Sequence, residues 1–339
     1  MGKVQIVAEI GSVHDGSFGN AKEMIRLAAD IGVDIVKFQT HIAEAETLKS
    51  APNPPYFQDE TRFEYFERTS FSLLQHRKLM DFAHQCGVEF MSSPFSLEAV
   101  ELLEEVGVRS YKVPSGEMTN HPLLIRLAKT GKRIILSSGM SSWDELDEAL
   151  ALLREHKSGP LVLLQCTSEY PCPPERAGVN VMQEMASRYG MPVGFSDHTL
   201  GSAVAILAIC RGACLIEKHL TFHRSMYGSD ARNASTPEEF VQLVEAIRTI
   251  ELAEEHPVDK DHLVQSLSHM KQTFEKSIVS ARKLPEGHVL QECDLAYKKP
   301  GDGIPARRFK QLQGRRLGRS VDVNHKFSEF DFEPRLTCE

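Results

Sequence analysis

Short apolar runs alternate with longer amphipathic stretches through the first three quarters of the 339-residue chain. Val4–Gly11, Ile35–His41, Glu89–Phe95, Ser110–Gly116, Arg133–Gly139, Leu161–Ser168, Pro192–Thr199 and Cys214–Thr221 read as strands, apolar on both faces. Between and after them, Asn20–Ile31, Leu73–Cys86, Leu97–Val106, His121–Lys129, Ser142–Arg154, Val179–Tyr189, Gly201–Arg211 and Thr236–Glu255 read as helices. Ala21, Met24, Ile25 and Ala28 share one face of the first, and Ser142 is placed to cap the fifth. Strands buried on both sides and each followed by a helix imply a parallel sheet, and eight such units close into a (β/α)8 TIM barrel. An open, doubly wound sheet would carry a glycine-rich phosphate loop after its first strand. Gly11-Ser12-Val13-His14-Asp15-Gly16 is a poor match for one. The expected fold is therefore a barrel over residues 1–258.

The pattern then changes. Residues 259–276 are polar and read as a linker with partial helicity. Residues 277–339 hold short apolar runs, turn signals at Pro285-Glu286-Gly287 and Pro300-Gly301-Asp302-Gly303, and a cluster of Arg and Lys. They predict a small β-rich domain with little core of its own, steadied by docking. No internal repeat is apparent beyond the strand–helix units. A net charge of −8 opposes nonspecific nucleic-acid binding, so an anionic substrate would need a few placed cations. No apolar run approaches membrane-spanning length, and Met1–Gly11 enters a strand pattern without the segments of a signal peptide. The seven cysteines are dispersed, with Cys166, Cys210 and Cys214 inside apolar runs. Buried thiols in a reducing cytoplasm fit that usage, and a disulfide framework does not.

Barrels of this kind gather their chemistry at the C-terminal strand ends. Those ends read Glu9, Lys37-Phe38-Gln39, Ser92-Ser93, Lys112 with Ser115-Gly116-Glu117, Ser137-Ser138-Gly139, Thr167-Ser168-Glu169-Tyr170, Ser196-Asp197-His198 and Glu217-Lys218-His219. Lys and Glu inside apolar runs are costly unless paired or functional. Lys37, Lys112 and a ring of hydroxyls suit a phosphate and a carboxylate. Glu9 and Glu117 suit sugar hydroxyls or proton transfer. His198 and His219, at the same end of neighbouring strands, suit a divalent metal with open positions, and Asp197 suits a partner orienting a histidine.

With these residues in order, the chain resembles the sialic acid synthase family, the nonulosonate or N-acetylneuraminate synthases, over essentially its full length. The resemblance is carried by AEIG (8–11), VKFQTH (36–41), SSPFS (92–96), YKVPSGE (111–117), SSGM (137–140), CTSEYPCPP (166–174), GFSDHTLG (194–201), EKHLT (217–221) and KKPGDGIP (298–305). It implies an enzyme condensing phosphoenolpyruvate with N-acetylmannosamine or a related N-acetylated amino sugar, to give a nine-carbon keto acid and phosphate. A 2,4-diacetamido acceptor giving legionaminate or pseudaminate is the alternative, and a non-catalytic carbohydrate-binding protein a remote one. By the same resemblance His198 and His219 match metal ligands, usually for manganese, with magnesium or cobalt as alternatives. Lys37, Ser93, Lys112, Ser115, Ser137, Ser168 and Ser196 match positions that hold phosphoenolpyruvate. Glu9, Glu117, Tyr170 and Asp230 match positions facing the sugar, with Glu117 the main proton-transfer group. The resemblance further implies that residues 277–339 form an antifreeze-like (SAF) domain, similar to type III antifreeze proteins. That domain would be exchanged between the subunits of a homodimer and would bring Lys299 or Arg307 to the acyl group.

Overall fold

The computed structural model describes residues 2–53, 60–228 and 230–334. Between the Ile35–His41 strand and the helix starting at Leu73 the sequence reads as a long loop rich in Pro and aromatics, Pro52-Asn53-Pro54-Pro55-Tyr56-Phe57. Pro54–Phe57 of it lie outside the described residues. Residues 1–255 and 256–339 form two compact units. In the first, β1 (Gln5–Gly11), β2 (Ile35–Thr40), β3 (Glu89–Pro94), β4 (Ser110–Val113), β5 (Arg133–Ser137), β6 (Leu161–Cys166), β7 (Val193–Asp197) and β8 (Leu215–His219) pair in parallel and in sequence order. β8 returns to β1, closing the barrel.

Successive strand residues point to opposite faces, so the pleat sorts each strand into an inward and an outward set. The outward set packs under helices α1 (Phe18–Ile31), α4 (Leu73–Gln85), α5 (Leu97–Val106), α6 (His121–Ala128), α7 (Trp143–Glu155), α8 (Val181–Tyr189), α9 (Ala203–Cys210) and α10 (Pro237–Glu255), while the short α2 (Ala43–Glu46) and α3 (Arg62–Thr69) pack on each other through Ala43, Phe63, Tyr65 and Phe66. The inward set begins as a dry plug of Val7, Ile35, Met91, Ile135, Val162, Leu164 and Leu215. Two residues further along those strands stand Glu9, Lys37, Ser93, Ser137, Cys166 and Glu217. The polar layer thus rests directly on the apolar one.

The helix starts follow local chemistry. Ser142 accepts from the Glu145 amide while the Glu145 carboxylate accepts from the Ser142 amide, a reciprocal cap that starts α7. In α1 the buried residues are Ala21, Met24, Ile25 and Ala28, the predicted face. Two helices before α4, Ala43–Glu46 and Arg62–Thr69, were not expected from the pattern. The thiols divide differently from expectation. Cys166 is buried and Cys214 half-buried, but Cys210 is exposed. Its helix, AVAILAIC, is apolar all round, so its sequence carries no mark of which side meets solvent.

In the second unit, the stretch expected as a linker forms α11 (Lys260–Ser266) and α12 (Ser268–Phe274). Beyond it, β9 (Ser277–Ser280) and β10 (Leu295–Lys298) form a two-stranded antiparallel sheet, and α13 (Phe309–Leu312) follows. The unit has its own core, including Ile278, Leu284, Leu290, Leu317, Phe327 and Phe332.

The expectation of no further repeat is corrected here. Arg282 and Arg319, His288 and His325, and Asp294 and Asp331 are equivalent pairs, 37 residues apart in each case. The fully buried Asp294 takes hydrogen bonds from Arg282, from His288 Nε2 at 2.7 Å and from the Gln291 amide. Asp331, equally buried, takes them from Arg319, from His325 Nε2 at 3.0 Å and from the Ser328 amide. Leu284 and Val321, an equivalent pair, exchange both backbone hydrogen bonds at 2.9 Å, so the two halves face each other across a local twofold. The bridge Val279–Lys326 is matched by Val289–Arg316 under the same relation.

Burial alone would raise both carboxyls, but the histidine, the amide and the arginine outweigh it and hold them below the usual range. A depressed carboxyl stabilises the fold fully above its unfolded value, about 3.9, and the contribution is lost as pH falls below that. Asp294→Asn and Asp331→Asn are expected to cost the second unit about 2–3 kcal/mol at neutral pH. The penalty should shrink towards zero as the pH is lowered past about 4. Hydrogen exchange of the Ile278 amide, which bonds the Ile304 carbonyl, reads this in the full chain.

Candidate active site

A cavity of about 900 Å3 opens at the C-terminal ends of the barrel strands, and the polar layer forms its floor. Lys37 Nζ lies 2.7 Å from Glu9 Oε2, 3.6 Å from Glu217 Oε1 and 3.3 Å from Ser93 Oγ. Lys112 Nζ lies 3.4 Å from the same Glu217 oxygen and donates to Ser137 Oγ at 2.7 Å. Ser196 Oγ donates to that oxygen too, at 3.3 Å. One carboxylate therefore stands between two ammoniums, all of them buried. For Lys37, burial pulls the ammonium down but Glu217 and Glu9 outweigh it, and the group ends above its ordinary value. For Lys112, burial dominates, and Lys37 adds to it against Glu217, so the group ends below. Glu217 is held well below the carboxylate range: burial opposes, and Lys112 and Lys37 prevail. Lys112 is thus the under-compensated cation of the floor, and an arriving anion favours its charged form.

Above Lys112, Ser115, Ser168 and Cys166 surround Gly139. A Cβ there would stand 2.3 Å from Ser168 Oγ, 2.5 Å from Ser115 Oγ and 3.0 Å from Cys166 Sγ. The Gly139 amide donates to Ser115 Oγ at 3.1 Å. Only a residue without a side chain leaves room for these two hydroxyls and the thiol to come this close to the backbone.

Beside them, with Nδ1 3.8 Å from Cys166 Sγ, His198 faces His219 with ring centroids 5.6 Å apart, and Tyr170 lies over His198 at 4.2 Å. His198 Nδ1 donates to the Thr167 carbonyl at 2.8 Å, so in the neutral ring Nε2 is the acceptor nitrogen. His219 Nδ1 is buried and has no hydrogen-bond partner among the described residues. An orphaned imidazole nitrogen beside an oriented imidazole fits a divalent ion taking its remaining ligands from water or substrate. Among the described residues no group of three or more His, Cys, Asp or Glu is arranged to hold an ion by itself.

Asp230 stands over Gly11, where a Cβ would lie 2.7 Å from Asp230 Oδ2 and 3.2 Å from Glu9 Oε1; Gly11 has φ +54°. Gln39 Nε2 donates to Glu9 Oε1 at 2.8 Å, and His41, stacked between Phe66 and Phe95, reaches Gln39 Oε1 at 3.0 Å and Glu46 at 2.7 Å. This chain orients Glu9 towards the cavity.

Of the residues singled out from sequence, the cavity wall brings together Glu9, Lys37, Lys112, Ser115, Ser137, Ser168, Tyr170, Ser196, His198, His219 and Asp230. Ser93 is buried behind Lys37 and touches it without lining the cavity. Glu117 stands beside the wall on a 3-10 turn, its carboxylate accepting from Asn120 Nδ2 at 2.7 Å. Burial raises that carboxyl, and the neighbouring Glu46 adds to the shift. Lys299 and Arg307 are exposed residues of the second unit, Lys299 with its ammonium 4.9 Å over the Phe274 ring. Asp197 touches neither histidine. It faces outwards and binds Lys218 Nζ at 2.7 Å, because the pleat turns it away from the interior. Glu217 was given no role from sequence and proves central. Its signal was its phase, in step with Leu215 and His219 on the inward face. Gln39 carried the same signal beside Lys37. Arg62 and Arg232, also on the wall, lie in segments whose pattern gave none.

A closed parallel barrel with a buried cation pair, serine hydroxyls and two facing imidazoles at its C-terminal rim is a (β/α)8 barrel with a candidate active site at the usual end of the fold. Comparison with known proteins gives the particular lineage: residues 24–259 match the NeuB family, and the chain belongs to it. It is 36% identical to the N,N'-diacetyllegionaminic acid synthase of Campylobacter jejuni, over 97% of this chain and 99% of that protein. It is 32% identical to the human N-acetylneuraminate-9-phosphate synthase, over 96% and 91% respectively. The crystal structure of an N-acetylneuraminic acid synthetase from Leptospira borgpetersenii in complex with citrate superposes with a TM-score of 0.70 at 28% identity, covering 80% of this chain and 93% of that one.

Removing the central carboxylate leaves the buried Lys112 without a carboxylate partner, while Lys37 keeps Glu9. Glu217→Gln is expected to lower the unfolding free energy by about 3 kcal/mol in anion-free buffer. Added orthophosphate should stabilise the variant more than the wild type in thermal denaturation, by supplying the missing charge.

Proposed function

We propose that this protein condenses phosphoenolpyruvate with an N-acetylated hexosamine, N-acetylmannosamine first, to give N-acetylneuraminate and phosphate. The observation that carries the reading is the floor of the cavity, where two buried ammoniums flank one carboxylate under a ring of serine hydroxyls. Lys37 and Lys112 hold the phosphate and carboxylate of phosphoenolpyruvate, with Ser115, Ser137, Ser168 and Ser196 donating to its oxygens and Ser93 steadying Lys37. In the floor two ammoniums balance the two carboxylates Glu9 and Glu217, so a multiply charged anion arrives with its charge in excess. A divalent ion at His198 and His219 (manganese first, magnesium or cobalt otherwise) supplies that countercharge and, when bound, Lewis-acid polarisation of the aldehyde.

Glu9, Asp230 and Tyr170 flank the sugar. The enol π electrons form the bond from C3 to the aldehyde carbon, and the aldehyde oxygen takes a proton and becomes a hydroxyl. Water adds to C2 and gives up a proton. The C2–O bond then breaks with the electron pair leaving on phosphate, the C2 hydroxyl gives its proton to the departing phosphate, and C2 becomes the keto carbon. Glu117, whose carboxyl burial keeps towards the protonated form, is the proton-transfer group of this reading.

The reading includes a homodimer exchanging antifreeze-like C-terminal domains, with Lys299 or Arg307 as acyl-group contacts, in the cytoplasm. Among the described residues no helix is long and apolar enough to cross a membrane. A second acceptor class, 2,4-diacetamido-trideoxyhexoses giving legionaminate or pseudaminate, is supported by the 36% identity to the C. jejuni synthase.

Phosphate release from phosphoenolpyruvate, measured with each acceptor and with manganese or chelator, tests the reading. Acceptor-dependent, chelator-sensitive release is expected, and the preferred acceptor names the product. Absence of release with every acceptor on the panel would point to another acceptor or to a carbohydrate-binding role. Glu117→Gln should lower kcat by about 100-fold or more while the KM for phosphoenolpyruvate stays close to wild type.

A further inference from the structure

The ion pair Asp197–Lys218 lies outside the cavity, and the chemistry above does not use it. Asp197 precedes His198 and Lys218 precedes His219, and the two are register partners on the outward face of β7 and β8. Lys218 Nζ donates to Asp197 Oδ2 at 2.7 Å and to the Thr199 carbonyl at 2.7 Å. Asp197 Oδ1 accepts from the Thr199 amide at 2.9 Å and from Thr199 Oγ1 at 2.8 Å. All three residues are at most 3% exposed.

A buried ion pair is a poor stabiliser compared with apolar residues of similar size. The outward register pair just before it on the same two strands, Phe195 and Ile216, is apolar. Charge enters this face only at the level of the two imidazoles. There it meets a specific mechanical need. The β7–β8 pairing ends at Asp197–Lys218, so His198 stands beyond the last paired residue of β7. Lys218, held in β8 next to His219, grips the carboxylate before His198 and the carbonyl after it.

We infer that Asp197, Lys218 and Thr199 form a clamp that sets the spacing and orientation of the His198 and His219 imidazoles for a shared divalent ion. They are positioning residues and touch neither ion nor substrate. The inference rests on the metal reading of the two histidines.

The test is manganese affinity of the full-length protein, read from the EPR signal of free manganese. Wild type is compared with the double variant Asp197→Leu/Lys218→Met, which removes both charges together, and with Thr199→Val. Loss of outer partners of a metal ligand weakens binding by about 10–100-fold, and that is the loss expected of the double variant. Its melting temperature should stay within a few degrees of wild type, and the orthophosphate affinity of the metal-free protein should be unchanged. A folded double variant that binds manganese as tightly as wild type overturns the clamp. If the double variant does not fold, Thr199→Val decides. Weaker manganese binding at an unchanged melting temperature supports the clamp, and wild-type binding overturns it. Wild type that turns over phosphoenolpyruvate without binding manganese overturns the clamp and leaves the synthase reading intact. Manganese binding that depends on the clamp, in a protein inactive on every acceptor, supports the clamp and overturns the synthase.

Discussion

A barrel closed on itself has no edge through which to hydrate its interior, and that constraint governs the active site. Every charge buried at the level of the site must be matched by another inward charge or by a ligand. Below the site the match is avoided, since the plug from Val7 to Leu215 is wholly apolar. One layer up it is met by alternation: Glu9, Lys37, Glu217 and Lys112 form a chain of opposite signs, trimmed by Ser93, Ser137 and Ser196. The cavity begins where this chain stops, and its affinity for anions follows from how finely the chain is balanced.

Much of the barrel was legible in the chain, because strands buried on both faces leave continuous apolar runs and their helices leave a 3.6-residue stripe. The polar residues were legible as exceptions within those runs. Their direction was harder to read. Glu217, Lys218 and His219 are consecutive and all buried, yet the first and third face the cavity and the second faces the helices. Reading strand ends as clusters pools the two sets. Counting in twos from Leu215 separates them, and would have given Glu217 its place and removed Asp197 from the interior. Glu117 lies past the end of β4, on a turn, where no such counting applies.

The second unit was misread for a different reason. Its repeat is carried by Arg, His and Asp at matched spacing, not by hydrophobic period, while the intervening residues differ, such as Pro285 against Asp322 and Cys293 against Phe330. The segment also looked short of core because its apolar runs are short. Paired across the local twofold, Leu284 with Val321 and Leu290 with Phe327, they make a compact interior that neither half supplies alone.

That duplication turns the unit into a comparison of two versions of one design. Whatever the shared Arg, His and Asp do for folding, both halves do. What differs at matched places, such as Lys283 against Ser320 or Val289 against Lys326, lies outside the framework the halves share, as the pairing of Lys326 with Asp302 shows. The asymmetry between two equivalent halves, more than the framework they share, is where selection for a task in this unit would leave its mark.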